Sequence, residues 1–581
     1  IMTHLQDVLT MTRYDLVIKN GKVIDGTGND EYQADIGVTA GLITEIGSIN
    51  DADCAAAGEV IDAAGALVTP GFVDIHTHYD GLATWASRMN PSSHHGVTTV
   101  VMGNCGVGFA PVRTTDHDVL VKLMEGVEDI PGVALHEGLP WSWESFPDYM
   151  DFLEQRQFDM DIAAQLPHAA LRVYVMGERG ANREPATADD IAAMKALTEE
   201  AMQAGALGFS SSRTLNHKSS TGDPTPSLTA ARDELVGIGE ALRNADAGVL
   251  EMISDFKDID EEFETLMAMT EAANTSMTIS LAQGINPQGW KALLSRIDLA
   301  NEKGLKMKGQ VAPRAIGILM GLNCTLNPFI QLPSYRDIAG LPLQEKVARL
   351  QDEAFRAQLL SEQISSSGPA LLLTNFDKMW LLGDPPNYEP APEDSLGAQA
   401  RRAGVSAESL ALDAMLMNDG QQMLYTPFAN YAQDNLDCCR EMILEENTVM
   451  GLGDGGAHVG TICDASFVTY LLTHWGRDRT RGELIDLPTL VKAQSSDTAA
   501  AVGLFDRGRL VVGKRADINV IDFDTLASDP PQMVNDLPAG GKRLEQTTQG
   551  YLATICHGQV TYRNGQPTDA LPGRLIRGGQ A

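Results

Sequence analysis

His76 and His78 close the apolar run Val68-Thr69-Pro70-Gly71-Phe72-Val73-Asp74-Ile75-His76-Thr77-His78 with two imidazoles one residue apart. Residues i and i+2 of a strand share a face, so the two rings are placed to converge on one metal ion at the carboxyl end of a buried strand. That is the end at which barrel enzymes carry their chemistry. Two polar residues leaving a core strand is the bland alternative; the Pro-Gly turn and the hydrophobic lead-in weigh against it. A second run, Gly451-Leu452-Gly453-Asp454-Gly455-Gly456-Ala457-His458, again brings an apolar strand to a polar residue among glycines. Asp454 falls where a last barrel strand opens to the site. A carboxylate beside a divalent ion takes a proton from water and later passes it to a leaving group, as general base and then general acid. Aspartate in a glycine-rich turn is common, and it is the combination with His76 and His78 that favours catalysis.

Such side chains need a scaffold, and the middle of the chain alternates apolar strands with helical stretches, the pattern of βα units around a parallel sheet. Strands are expected at 98–102, 161–166, 206–210, 248–252, 277–281, 308–311, 370–373 and 448–452. Units of this kind suit a (β/α)8 TIM barrel across residues 70–500, which is longer than the roughly 250 residues typical of that fold and so requires insertions. These are expected near 125–144, with Trp141 and Trp143, and at 326–399, rich in proline and charge. Loops this long are usually lids or oligomer contacts, so a homo-oligomer is compatible with the chain. Residues 13–69 read as short strands punctuated by glycine turns, and the same texture returns in 501–575. Together they predict a small β-sandwich domain built from both chain ends.

At 581 residues more than one domain is expected. Asp and Glu number 78 against 43 Lys and Arg, a net charge of -35. That field repels phosphate backbones and anionic lipid surfaces, so neither nucleic acid nor membrane is expected as a partner, and a small-molecule substrate is. No stretch approaches the roughly 18 apolar residues of a membrane span, and the opening Ile1-Met2-Thr3-His4-Leu5-Gln6-Asp7 lacks a basic-then-apolar signal pattern. A cytoplasmic location is expected. Seven scattered cysteines suit a reducing compartment and form no disulfide framework; Cys438 and Cys439 read as a pair of buried small residues.

Taken together, the Pro70–His78 run, the Gly453-Asp454 strand end and the closing Gly508-Arg509-Leu510-Val511-Val512-Gly513-Lys514-Arg515-Ala516-Asp517-Ile518 resemble the amidohydrolase superfamily. Within it, His94-His95-Gly96-Val97-Thr98-Thr99-Val100-Val101-Met102-Gly103-Asn104-Cys105-Gly106 is similar to the D-aminoacylase branch, the N-acyl-D-amino-acid deacylases. The resemblance runs in order along nearly the whole chain. It implies a metal-bearing barrel beside a β domain and hydrolysis of an amide or related carbon–nitrogen bond. It also implies that Cys105, matching a cysteine after the second strand of that branch, is a metal ligand. The bland reading of Cys105 is a small residue in a tight turn.

One departure stands out. The branch carries metal-binding histidines at the ends of its fifth and sixth strands, whereas the corresponding segments here, Val249-Leu250-Glu251-Met252-Ile253-Ser254-Asp255 and Thr278-Ile279-Ser280-Leu281-Ala282-Gln283, contain none. Two arrangements stay open: a single ion on His76, His78 and Asp454, with or without Cys105, or a second ion held with help from Glu251. Three protein ligands and an open position already make a catalytic zinc site. Zn2+, as one or two ions, is therefore the expected cofactor, with other divalent metals compatible.

Three further residues are candidates for substrate contact. His168 resembles the histidine of a Gly-His-x-x-Leu-Arg segment of the family, and it either touches substrate or an oxyanion or is a hydrogen-bonded structural histidine. Arg213 ends the fourth strand, where it either pairs with a substrate carboxylate or braces an acidic loop. His458 either orients Asp454 or caps the next helix. His94-His95 precedes the second strand, on the face away from catalysis, and reads as structural. The leading expectation is a metal-dependent hydrolase of an N-acyl amino acid or similar small amide, with Asp454 as proton carrier. Its alternatives are a cyclic-amide hydrolase or deaminase on the same scaffold and a catalytically silent binding protein.

Overall fold

A computed structural model describes residues 13–364 and 368–578; residues 1–7, read above for a signal pattern, lie outside it. Eight parallel strands form the central sheet: β1 Phe72–Asp74, β2 Val97–Met102, β3 Asp161–Pro167, β4 Gly208–Arg213, β5 Val249–Ser254, β6 Ser276–Ser280, β7 Lys306–Val311 and β8 Thr448–Met450. They lie in sequence order from β1 to β8, as successive βα units dictate. Every residue of β2 and β3 is buried, which is why both read as unbroken runs rather than as alternating ones.

The ends of this sheet meet beyond the last residues of β1 and β8. Thr77 pairs in parallel with Gly455, the Asp454 amide donates to the His76 carbonyl (2.9 Å) and the His78 amide to the Gly455 carbonyl (2.7 Å). The barrel therefore closes through the backbone of its candidate ligands.

A second, nine-stranded sheet comes from both chain ends. Its junction is the antiparallel pairing of Ile518–Ile521 with Leu67–Pro70, over a core that includes Ile18, Ile36, Val68, Val520 and Ile555. Leu67–Pro70 runs straight through Gly71 into β1. A Cβ at Gly71 would stand 2.2 Å from the Thr98 hydroxyl, so only glycine lets the chain pass from one sheet to the other.

Between β2 and β3 lie the helices His117–Glu128, Gly132–Gly138 and Phe146–Glu154. Between β7 and β8 an inserted unit builds a three-stranded sheet from Ile316–Met320, Leu424–Ala429 and Trp380–Leu381 over its own core, with Met320, Phe329, Leu350 and Met415. Residues 370–373, expected as a barrel strand, belong instead to two helical turns in this unit, Gly368–Ala370 and Leu371–Thr374. Ala-Leu-Leu-Leu has no β-branched residue, and leucine is a strong helix former; the sheet is completed by β1. All seven cysteines are free, and Cys438 and Cys439 are buried. Among the described residues no helix is long and apolar enough to cross a membrane.

Glu389 of the inserted unit ties it to the barrel. Its buried carboxylate accepts from the Leu436 amide (2.9 Å), from Arg479 (3.1 and 3.2 Å) and faces His474 Nε2 at 3.1 Å. Burial alone would raise this carboxyl, but His474 and Arg479 hold it down to about 2. The folded value lies below the roughly 4.3 of an unfolded glutamate, so its stabilisation is fully present above that value and is lost as pH falls towards 2. Glu389→Gln is expected to cost about 2–3 kcal/mol at pH 7, and the gap from wild type should close between about pH 4.5 and 2. Urea unfolding at stepped pH measures this; a pH-independent gap would contradict it.

Candidate metal centre

The carboxyl ends of the strands bring His76, His78, Cys105 and Asp454 together. His76 Nε2 lies 3.3 Å from Cys105 Sγ and 3.4 Å from Asp454 Oδ1, and His78 Nε2 lies 3.6 Å from the same oxygen. The ligand atoms of His76, His78 and Cys105 all fall within 4.8 Å of one another. These three residues are buried, while 16% of the Asp454 side chain is exposed. Two imidazoles and a thiol in mutual reach, with the Asp454 carboxylate beside both rings, suit zinc or a neighbouring transition metal better than magnesium or calcium.

Neighbouring groups fix the donors. His76 Nδ1 faces Gln310 Oε1 at 2.6 Å, and the Gln310 amide nitrogen donates to Thr278 Oγ1 (2.8 Å). With the Gln310 oxygen thus directed at the ring, Nδ1 carries the proton and the Nε2 lone pair faces Asp454 and Cys105. Cys105 sits on a turn held from four strands. Its amide donates to Glu251 Oε2 of β5 (2.8 Å), and Gly106 donates to Ser210 of β4 (2.9 Å). Asn104 donates to the Thr77 carbonyl beyond β1 (3.1 Å) and accepts from Gln165 of β3 (2.8 Å). Gly103, at φ +79°, allows this turn, since a Cβ there would stand 2.4 Å from the Gln165 carbonyl. Cys105 (φ 54°), Asp454 (48°) and His458 (49°) all take left-handed backbone, a conformation costing non-glycine residues roughly 1 kcal/mol or more and concentrated at functional sites.

Electrostatics agree with a cation-binding role. Burial would raise the Asp454 carboxyl, but His78, His76 and His458 hold it well below the ordinary carboxylate range. Burial pushes His78 down to about 4 and Glu251 up to about 7. It pushes the Cys105 thiol well above its usual value, and Glu251, Glu128 and Asp454 add to that; a bound divalent ion is the ordinary means of reversing such a shift. Glu251 Oε1 and Asp74 Oδ2 are buried oxygens without a hydrogen-bond partner. Such atoms are rare in folded proteins, and Glu251 belongs to the fifth strand.

The other expected contacts are placed differently. Both ring nitrogens of His168 are occupied, Nδ1 with Ser211 Oγ (2.7 Å) and Nε2 with Glu234 Oε1 (2.8 Å), and Arg172 also binds Glu234. A fully buried histidine so engaged has no nitrogen left for an oxyanion. Arg213 binds Glu262 (2.5 and 3.0 Å) and the Ala230 carbonyl (2.6 Å), the bracing alternative. His458 caps no helix; Thr461 and Ile462 donate to its carbonyl, and its ring faces Glu128 at 3.9 Å. His95 bonds to Thr469 and the Gln546 carbonyl away from this site.

Three residues of the chamber carry no motif. Gln310 lies in the strand Lys306–Val311, which already carries lysines at 306 and 308, so a further polar residue there does not stand out. Glu128 stands in the segment between β2 and β3, its Oε1 3.2 Å from His78 Nδ1. His217, beyond β4, bonds to Ser212 Oγ (2.9 Å), and burial together with His458 and His78 pushes it down to about 3. Nothing local in the sequence distinguishes the last two either.

Residues 59–562 match the amidohydrolase family. The N-acyl-D-glutamate deacylase of Alcaligenes xylosoxydans xylosoxydans is 25% identical over 97% of both chains. Among solved structures, a D-aminoacylase described as having a binuclear metal centre superposes with a TM-score of 0.63 at 23% identity, over 97% of this chain and all of that one. An N-acyl-D-glutamate deacylase from Bordetella bronchiseptica, complexed with zinc and a phosphonate inhibitor, gives 0.62 at 22% identity, over 97% of this chain and 99% of that one.

Proposed function

The chain belongs to the amidohydrolase family, and from that premise we propose that it removes the acyl group from an N-acyl amino acid or a similar small amide, with the D-series the first to test. It is a hydrolase of carbon–nitrogen bonds other than peptide bonds. Zinc is the proposed ion, held by His76, His78 and Asp454 with Cys105. When bound, such an ion supplies the charge that acidifies water and polarises a carbonyl.

The observation that carries this reading is the convergence of two ring nitrogens, a sulfur and a carboxylate oxygen, with His76 fixed in the required tautomer by Gln310. Asp454 Oδ1 lies within 3.6 Å of both rings, and its side chain is the part of the cluster that reaches solvent. From there it takes the proton of the attacking water and delivers it to the departing amide nitrogen. Gln310, Asn104 and Ser210 hold the ligand segments still, which limits the rearrangement the reaction needs. Glu251 Oε1 is the oxygen proposed for a second ion.

Metal analysis of the purified protein, run beside hydrolysis of an N-acyl-amino-acid panel, tests the reading. At least one zinc per chain with release of a free amino acid is expected. Turnover of cyclic amides or aminopurines alone would move the substrate assignment. No metal after growth in zinc-supplemented medium, together with no turnover, would overturn it.

A further inference from the structure

Glu128 is the last residue of the helix His117–Glu128, which belongs to none of the barrel strands, yet its carboxylate is 1% exposed and lies in the metal chamber. Oε1 stands 3.2 Å from His78 Nδ1 and Oε2 3.9 Å from His458 Nε2. Among the described residues no lysine or arginine pairs with it; Glu128 Oε2 and His78 Nδ1 are both buried without a hydrogen bond, and the two side chains approach to 3.2 Å. The helix end is fixed in place by the segment that follows Asp454: the Val459 amide donates to the Glu128 carbonyl (3.3 Å) and the Gly460 amide to Asp129 Oδ2 (3.2 Å). An acid buried this deeply without a cation is costly, and among the described residues its counterparts are two imidazoles.

We propose that Glu128 is a positioning residue: it holds the His78 ring with Nδ1–H towards its carboxylate, so that Nε2 presents its lone pair to the ion. This rests on the metal reading of His78. It also makes the two histidine ligands unequal. His76 is backed by a neutral amide, Gln310, whereas His78 is backed by a carboxylate, which makes the ring the stronger donor. Retention of the ion thereby depends on a segment inserted between β2 and β3. That segment packs Trp141 face to face on His117 at the start of the Glu128 helix (3.9 Å between ring centres), so its aromatic packing supports a ligand it never touches.

Zinc affinity by chelator competition, and the visible absorption of the cobalt-substituted protein, are measured for wild type, Glu128→Gln and Glu128→Ala. Loss of such a partner typically lowers metal affinity about 10- to 100-fold, and a shifted cobalt spectrum is expected in both variants. The isosteric Glu128→Gln variant keeps the volume and folds if the Glu128→Ala variant does not, and its metal-free unfolding midpoint should match or exceed that of wild type. Equal affinity and an unchanged spectrum in Glu128→Gln would overturn the inference alone. A wild type that holds no metal would overturn the metal reading and this inference with it.

Discussion

Asp454→Asn is expected to lower kcat for hydrolysis of an N-acyl amino acid by about 10²- to 10⁴-fold, the range for loss of a general acid–base group, while zinc stays bound. Asparagine keeps one oxygen where Oδ1 now faces His76 and His78 at 3.4 and 3.6 Å, so the ligand cluster loses a charge and keeps a donor atom. What disappears is the means of accepting a proton and returning it. Single-turnover kinetics with metal analysis on the same sample separates the two roles. If activity and zinc vanish together and excess zinc restores both, Asp454 acts as a ligand only; unchanged kcat with zinc bound would remove it from the chemistry.

Cys105→Ser is expected to weaken zinc binding by at least about 100-fold, the upper end of what loss of a merely supporting partner costs. The sulfur lies 3.3 Å from His76 Nε2 in a turn fixed from four strands, so a hydroxyl in its place has no freedom to move closer. Serine remains protonated where a metal-held thiol does not. The fold should survive, because the turn is held by backbone amides, Asn104 and Glu251 rather than by the sulfur. Equilibrium dialysis against zinc, with circular dichroism as the control for folding, gives the answer: full zinc occupancy at wild-type affinity would return Cys105 to the status of a small residue in a tight turn.

How much of this was legible beforehand differs from residue to residue. His76, His78 and Asp454 could be read because each ends an apolar run in a polar residue, the histidines after a Pro-Gly turn and Asp454 among glycines, a local pattern with a local cause. Cys105 needed the family resemblance, since Gly-Asn-Cys-Gly alone is only a turn. Arg213 and His168 stayed open between two readings for a physical reason: their carboxylate partners, Glu262 and Glu234, sit on helices packed behind the strands, and pairing across 49 or 66 residues leaves no trace in spacing. Gln310 and Glu128 escaped for the same reason, each meeting a histidine only after the barrel has closed. The Ala370-Leu371-Leu372-Leu373 run failed differently, because four apolar residues carry no period that separates strand from helix.

The seam between β1 and β8 gives the molecule a particular order of events. The hydrogen bonds that join the first strand to the last are made by His76, His78, Asp454 and Gly455 themselves, so the donors cannot gather until the most distant parts of the barrel sequence have met. Contacts between such remote segments form slowly. On the proposed metal reading, an ion held there bridges the two ends of the barrel, so the ligand cluster exists only where the first and last strands have met.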